Sequence, residues 1–278
     1  MWDMKNSEQN ALWNGPGGQA WVESQTVLEG MLQPFEALLA DALAIERPRR
    51  VLDVGCGLGG TTLAFARRLG GDARCTGVDI SRPMLDVAKA RAEQESQPPT
   101  FVLADAQTHV FEPATFDSIV SRFGVMFFDD PVEAFTNLRR AATAGARLRF
   151  VAWRRPEENP FMTVAERIAA PLLPDLPPRR ADEPGQFGFA DGDRVKSILE
   201  RSGWTHVEVR PIDVPCRFPT ADLLHYMTRM GPVGRLVPGL PDPVRIELIE
   251  KLRTALDPYV HGAEVLFTSA CWMVTAVT

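Results

Sequence analysis

No run of about 18 apolar residues occurs in the 278-residue chain, so a membrane-spanning helix is not expected. The first residues, Met1 to Glu8, lack the apolar core of a secretory signal. Cysteine is sparse: Cys56, Cys75, Cys216 and Cys271 stand far apart and form no Cys-x-x-Cys pair. That pattern argues against a zinc site or a disulfide scaffold and fits a reducing cytoplasm. Lysine is scarcer still, with Lys5, Lys89, Lys196 and Lys251 the only four of thirty basic residues, a bias that reads as genomic base composition. A basic excess is also missing. The net charge of -6 gives no general pull toward phosphate backbones or anionic lipid, so nucleic acid is not an expected partner. What remains is an ordinary globular composition, 45% hydrophobic and 24% charged, long enough for a sizeable core in one or two domains.

Between Val22 and Ile45 apolar residues recur at three- and four-residue spacing (Val27, Leu28, Met31, Leu32, Phe35, Leu38, Leu39, Ala42 and Leu43), which predicts an amphipathic helix. From Arg50 the pattern alternates: strand 51–54, helix 61–69, strand 74–79, helix 81–95, strands 100–104 and 117–121, helix 131–141, strand 146–153. Strands separated by helices predict parallel βα units in an open α/β, doubly wound, Rossmann-like sheet. Beyond Trp153 a proline-dense stretch cannot be one continuous helix; it reads as a short helix near 160–170 and a long loop. A helix at 191–202, a strand at 206–214, helices near 220–230 and 242–256 and a last strand at 264–277 complete the chain. The expected division is 1–46 as an N-terminal helical segment, 47–153 as the core, 154–190 as a cap insert, and 191–278 as the end of the sheet with a second helical insert at about 219–260.

Gly55-Cys56-Gly57-Leu58-Gly59-Gly60 lies between the first strand and its helix, where missing Cβ atoms let backbone approach a ligand and helix N–H groups face it. Through Gly55, Gly57 and Gly60 it also fits G-x-G-x-x-G, the fingerprint of dinucleotide binding. Asp79, ending the second strand, is where an acid would grip a ribose under either reading. Asp53 separates the two. A carboxylate beside a pyrophosphate suffers a repulsion of about 4 kcal/mol at 4 Å and an effective dielectric of 20, whereas an ammonium or sulfonium is welcome there. S-adenosylmethionine carries both cations.

The run Val51 to Gly59 resembles the first motif of the class I S-adenosylmethionine-dependent methyltransferases. Val78-Asp79-Ile80-Ser81 resembles their second-strand acid motif, with Met84 where an apolar residue stacks on adenine, and Ala104-Asp105-Ala106 resembles the motif whose acid meets the adenine amino group. Phe116 to Ser121, followed by Arg122-Phe123-Gly124, resembles the fourth strand, whose end lies beside the methionine moiety. The resemblance covers residues 47–153 and, more loosely, 191–214, and is nearest the ubiquinone/menaquinone-biosynthesis-type small-molecule enzymes. It implies a mostly parallel seven-stranded sheet with an antiparallel last strand and helical cap inserts. It further implies S-adenosylmethionine as cofactor, held at Asp53, Gly55, Cys56, Gly57, Gly59, Asp79, Ile80, Met84, Asp105, Ala106, Ser121 and Phe123. Relatives fold an N-terminal segment over the cofactor, so Trp13, Gln19 or Trp21 is expected to close the pocket, the alternative being two tryptophans that only anchor the segment to the core.

An isolated Asp79 or Asp105 has an everyday alternative as a helix cap or turn residue; their coincidence at successive strand ends favours the binding reading. No metal is implied. Among His109, His206, His225 and His261, the candidates for a general base are His225 and His261, because the inserts should roof the acceptor pocket; surface or satisfied core histidine is the ordinary alternative. Phe161, Met162, Phe187, Phe189, Phe218, Met227 and Met230 in the inserts suggest an apolar or aromatic acceptor, with plain core packing as the alternative. The expected activity is methyl transfer to an O, N or C atom of a small molecule. An NAD(P)-dependent oxidoreductase or a non-catalytic S-adenosylmethionine-binding protein is the rival reading, and the helical inserts are a candidate surface for a homodimer.

Overall fold

The computed structural model describes residues 7–179 and 183–278. Met1–Asn6 and Arg180–Asp182, which belong to the expected N-terminal segment and first insert, lie outside the described residues. The chain opens with α1 (Ser7–Trp13), α2 (Pro16–Glu23) and α3 (Gln25–Glu46). Val27, Leu28, Met31, Leu32, Phe35, Leu39 and Leu43 form the buried stripe of α3, whereas Leu38 and Ala42, expected in the same stripe, are exposed and half-buried. The helix ends where Arg47 turns left-handed (φ 50°) and its N–H caps Leu43 O at 2.8 Å. α1 and α2 lie before the one helix that periodicity places individually in the expected N-terminal helical segment.

The core alternates β1 (Arg50–Val54), α4 (Gly60–Leu69), β2 (Arg74–Asp79), α5 (Arg82–Ala92), β3 (Thr100–Leu103), β4 (Phe116–Arg122), α6 (Pro131–Ala141) and β5 (Ala142–Trp153). Then follow α7 (Pro160–Ala169), α8 (Gly192–Arg201), β6 (Thr205–Pro219), α9 (Leu223–Arg229), α10 (Gly231–Leu236), α11 (Asp242–Leu256), β7 (Val260–His261) and β8 (Glu264–Val277). The strand order is β3-β2-β1-β4-β5-β8-β6, parallel through β5, with β8 antiparallel between β5 and β6. The two-residue β7 adds an eighth strand by pairing with β8. Ala144-Gly145 lies within β5, whose register against β4 slips between Phe116 and Ser118.

Successive strand residues point to opposite faces, so Phe150 and Trp153 on β5 mark the two sides of the sheet. Phe150 stacks on Phe135 of α6, while Trp153 meets Phe35 of α3. Helices therefore cover both faces. β6 is an edge strand, and Pro211, Pro215 and Pro219 are spaced by four, so all three present their missing N–H to the same, unpaired side. α7, α9, α10 and α11 pack on one another, and α10 also touches α2. No helix among the described residues is long and apolar enough to cross a membrane.

Candidate cofactor and acceptor site

After β1 the chain turns to β2 and β3 on one side and returns through β4 and β5 on the other, which makes the β1/β4 boundary the switch point where open α/β sheets bind ligands. Ser121 fastens that boundary: its Oγ donates to Val54 O (2.7 Å) and accepts from Gly124 N (3.1 Å). Gly55 (φ 68°) is pressed so closely on the following loop that a Cβ would lie 2.6 Å from Gly124 Cα. Gly57 (φ 53°) is different, since a Cβ there would meet only Met84 Sδ at 3.8 Å; its bare side opens on a cavity of about 940 Å³.

Asp79 joins this loop to the next strand. Its Oδ2 accepts from Gly57 N (2.7 Å) and its Oδ1 from Ser81 N (2.8 Å), and the residue borders the cavity. Burial raises its pKa, opposed by the backbone hydrogen bonds from Ser81, Gly57 and Ile80. Lone pairs not used by the backbone are free to accept hydroxyl donors from the cavity. Ile80, Met84, Asp105, Ala106 and Phe123 line the same wall. Asp105 Oδ1 accepts from Gln107 N at 2.9 Å, and Phe123 holds a positive φ of 62° while stacked on Trp153. Cys56 also borders the cavity, but its thiol is turned toward Gly77 and burial pushes its pKa up, so it fills space.

The N-terminal helices form the opposite wall. Trp13 and Trp21 border the cavity, with Trp13 edge-on to Phe127 at 5.1 Å. Asn14 pins this segment to the loop after β2, donating from Nδ2 to Ile80 O (2.9 Å) and accepting from Arg82 N (2.9 Å), while Ser81 Oγ donates to Trp13 O (2.6 Å). Gln19 is not among the lining residues.

Three expected cofactor residues stand behind the wall. Gly59 is packed against Ala88 and Phe101, Ser121 spends its hydroxyl on the backbone, and Asp53 is sealed under the loop. Thr62 Oγ1 donates to Asp53 Oδ2 at 2.6 Å, and Asp53 Oδ1 has no hydrogen-bond partner among the described residues. Burial is the main cause of its pKa rising to about 7; Thr62 and Arg122 oppose the rise and Asp79 and Glu36 add to it. The expected bases do not border the cavity either. His225 Nε2 lies 3.0 Å from Ser24 Oγ at the α2–α3 junction, and His261 is exposed on the β7 hairpin. Arg122 and Glu29, on the cavity wall, had no individual signal in the sequence, because their position depends on how α3 crosses the strand ends.

The far side of the cavity is lined by Phe161, Met162, Phe187, Tyr226, Met227 and Met230 from the inserts. Tyr226 stacks on Phe161 at 5.8 Å, and its hydroxyl, whose pKa burial raises, donates among the described residues to Met162 Sδ at 3.5 Å. Phe189 and Phe218, by contrast, are core residues, stacked on Phe135 and packed edge-on to Phe161.

Residues 51–145 match the family described as a methyltransferase domain. The chain is 24% identical over 219 residues to the demethylmenaquinone methyltransferase of Renibacterium salmoninarum, which covers 76% of this chain and 90% of that one. It is 33% identical over 135 residues to that of Thermus thermophilus, covering 48% and 61%. Among solved structures, the YcgJ protein of Bacillus subtilis superposes with a TM-score of 0.57 at 18% identity, over 87% of this chain and 97% of that one, a likeness of fold. The open cradle at Gly57 and the cavity-facing Asp79 suit a ribose. The chain thus carries a class I S-adenosylmethionine-dependent methyltransferase domain and resembles the ubiquinone/menaquinone-type small-molecule enzymes.

Proposed function

We propose that the protein methylates an apolar or aromatic small metabolite held under the helical inserts, with residues 1–46, 154–190 and about 219–260 acting as covers over the 47–153 core. The observation that carries this reading is the continuity of one cavity from the Gly57–Asp79 wall to the Phe161, Met162, Phe187, Tyr226, Met227 and Met230 chamber. The relatives named as demethylmenaquinone methyltransferases are in keeping with a ring-bearing acceptor. Bound S-adenosylmethionine supplies an electrophilic methyl group on a sulfonium.

The chain's own part is binding, orientation and exclusion of water. Asp79 receives the ribose hydroxyls, Gly57 leaves room for backbone approach, and Met84, Ile80, Asp105 and Ala106 flank the base. Trp13 and Trp21 close the wall. Tyr226 offers an acceptor oxygen a better partner than the thioether its hydroxyl now meets. His225 and His261 are not the base; an acceptor that must lose a proton loses it to water or to its own ionisation. The protein acts in the cytoplasm on a free metabolite, without nucleic acid, and the helical inserts are its surface for homodimer association.

The test is release of S-adenosylhomocysteine with a panel of phenols, quinols and apolar amines against a panel of sugars and polar amino acids. Turnover confined to the first panel, with a higher KM in Tyr226→Phe, is the expected result. Turnover confined to the polar panel overturns the acceptor assignment.

A further inference from the structure

Two arginines and one glutamate meet at the edge of the acceptor chamber. Glu166 on α7 borders the cavity, as do Arg179, from the loop after α7, and Arg235 on α10. α10 packs on α7, and Arg235 is close enough to Glu166 for the carboxylate to favour its charge. Glu166 lies four residues after Met162 on α7, so the two share a helix face about 5–6 Å apart. Met162 is the thioether that the Tyr226 hydroxyl meets. The charged group therefore stands one helical turn along from the aromatic part of the chamber.

Glu166 is already engaged. Arg179 holds it as a fork, donating from Nε to Oε2 and from Nη2 to Oε1, and lays its guanidinium over the Phe187 ring at 4.4 Å. Arg235 is left over: it makes no hydrogen bond and no ion pair among the described residues. It is exposed, which places it at the rim, yet enough protein crowds its inner side for burial to lower its pKa against the effect of Glu166. Arg229, the other arginine of this insert on the cavity, faces Glu23 at 3.6 Å instead. With Glu166 and Arg179 neutral as a pair, Arg235 adds one uncompensated positive charge to the edge of an apolar chamber.

That charge selects among acceptors. One guanidinium matches one carboxylate, whose two oxygens fit its planar fork and leave the pair neutral. A phosphate ester is a dianion and would keep a charge beside Glu166, and an ammonium would be repelled by Arg235. The apolar lining asks for a ring, and the single turn between Met162 and Glu166 asks for a short chain between ring and carboxylate.

We propose that Arg235 receives the carboxylate of the methyl acceptor, so that the acceptor is an aromatic acid with its ring among Phe161, Met162 and Tyr226 and its carboxylate at the rim. This rests on the acceptor reading above and narrows it. The test is titration calorimetry of the full chain saturated with S-adenosylhomocysteine, in the wild type, Arg235→Met and Arg235→Lys. The probes are dihydrocaffeic acid, its methyl ester, and dopamine, which ends in an ammonium.

A charge pair at a rim open to water predicts about a tenfold tighter Kd for the acid than for the ester, with dopamine weaker than either. In Arg235→Met the preference for acid over ester should fall to within about twofold, and Arg235→Lys should restore part of it. Salt at about 1 M should shrink the wild-type preference. Acid and ester are compared within one protein, and the wild-type comparison needs no variant to fold. An ester that binds as well as the acid overturns the carboxylate assignment and leaves the aromatic acceptor standing, as does a preference that survives in Arg235→Met. Binding of neither acid nor ester overturns both, and failure of S-adenosylhomocysteine itself to bind overturns the cofactor reading beneath them.

Discussion

At the scale of single residues, the loop after β1 is fixed by what its glycines permit. In Gly55→Ala a methyl group at φ 68° would be driven into Gly124 Cα at 2.6 Å, a contact with backbone that cannot swing away. The expected cost is about 2–4 kcal/mol, read as a lower midpoint in denaturant, with loss of S-adenosylhomocysteine binding. Asp53 yields a different signature. Its pKa in the folded chain is about 7, above the ordinary 3.8, so the native state holds a proton that the unfolded chain releases. Its contribution to stability is therefore full below about pH 4 and is lost as the pH rises through about 7. In ligand-free protein the Tm of Asp53→Asn minus that of wild type should grow from pH 4.5 to pH 7.5 and level off above; a constant difference would show an ordinary carboxyl. These positions were legible in the sequence because backbone strain and buried charge restrict the residue types allowed. Arg122 was not, since nothing in Ser-Arg-Phe-Gly says whether the arginine meets solvent, acid or ligand.

At the scale of elements, the βα alternation was readable from periodicity, because each parallel strand is a short apolar run and each helix repeats its apolar face. The N-terminal helices escaped that reading. α1 and α2 are seven and eight residues long, too short for a clear period, and are held by Asn14 and Ser81 rather than by a wide apolar stripe. Removing residues before Trp21 should weaken S-adenosylhomocysteine binding by about tenfold or more in calorimetry, because it deletes Trp13 and the Asn14 clamp. Unchanged affinity would leave the tryptophans as anchors only. The histidines show the converse limit. Position in an insert did not predict direction: His225 turns to Ser24 and His261 to solvent. His225→Ala and His261→Ala should each lower kcat by less than about tenfold. A larger loss with unchanged Tm would return that histidine to the chemistry.

At the scale of the whole molecule, the sheet and its switch point were foreseeable from the order of strands, and the acceptor chamber was not. The chamber exists only when the inserts, separated in sequence, close on one another and on α2. Its shape rather than any motif sets the acceptor, so exchanging Met227 and Phe161 for alanine should widen the range of phenols accepted while leaving S-adenosylhomocysteine affinity near that of wild type. The three prolines of β6 have a consequence beyond the fold. A foreign strand that came to rest on that margin would look for donors and find gaps at Pro211, Pro215 and Pro219. That flank of the sheet therefore resists being lengthened by a neighbouring strand, although nothing caps it.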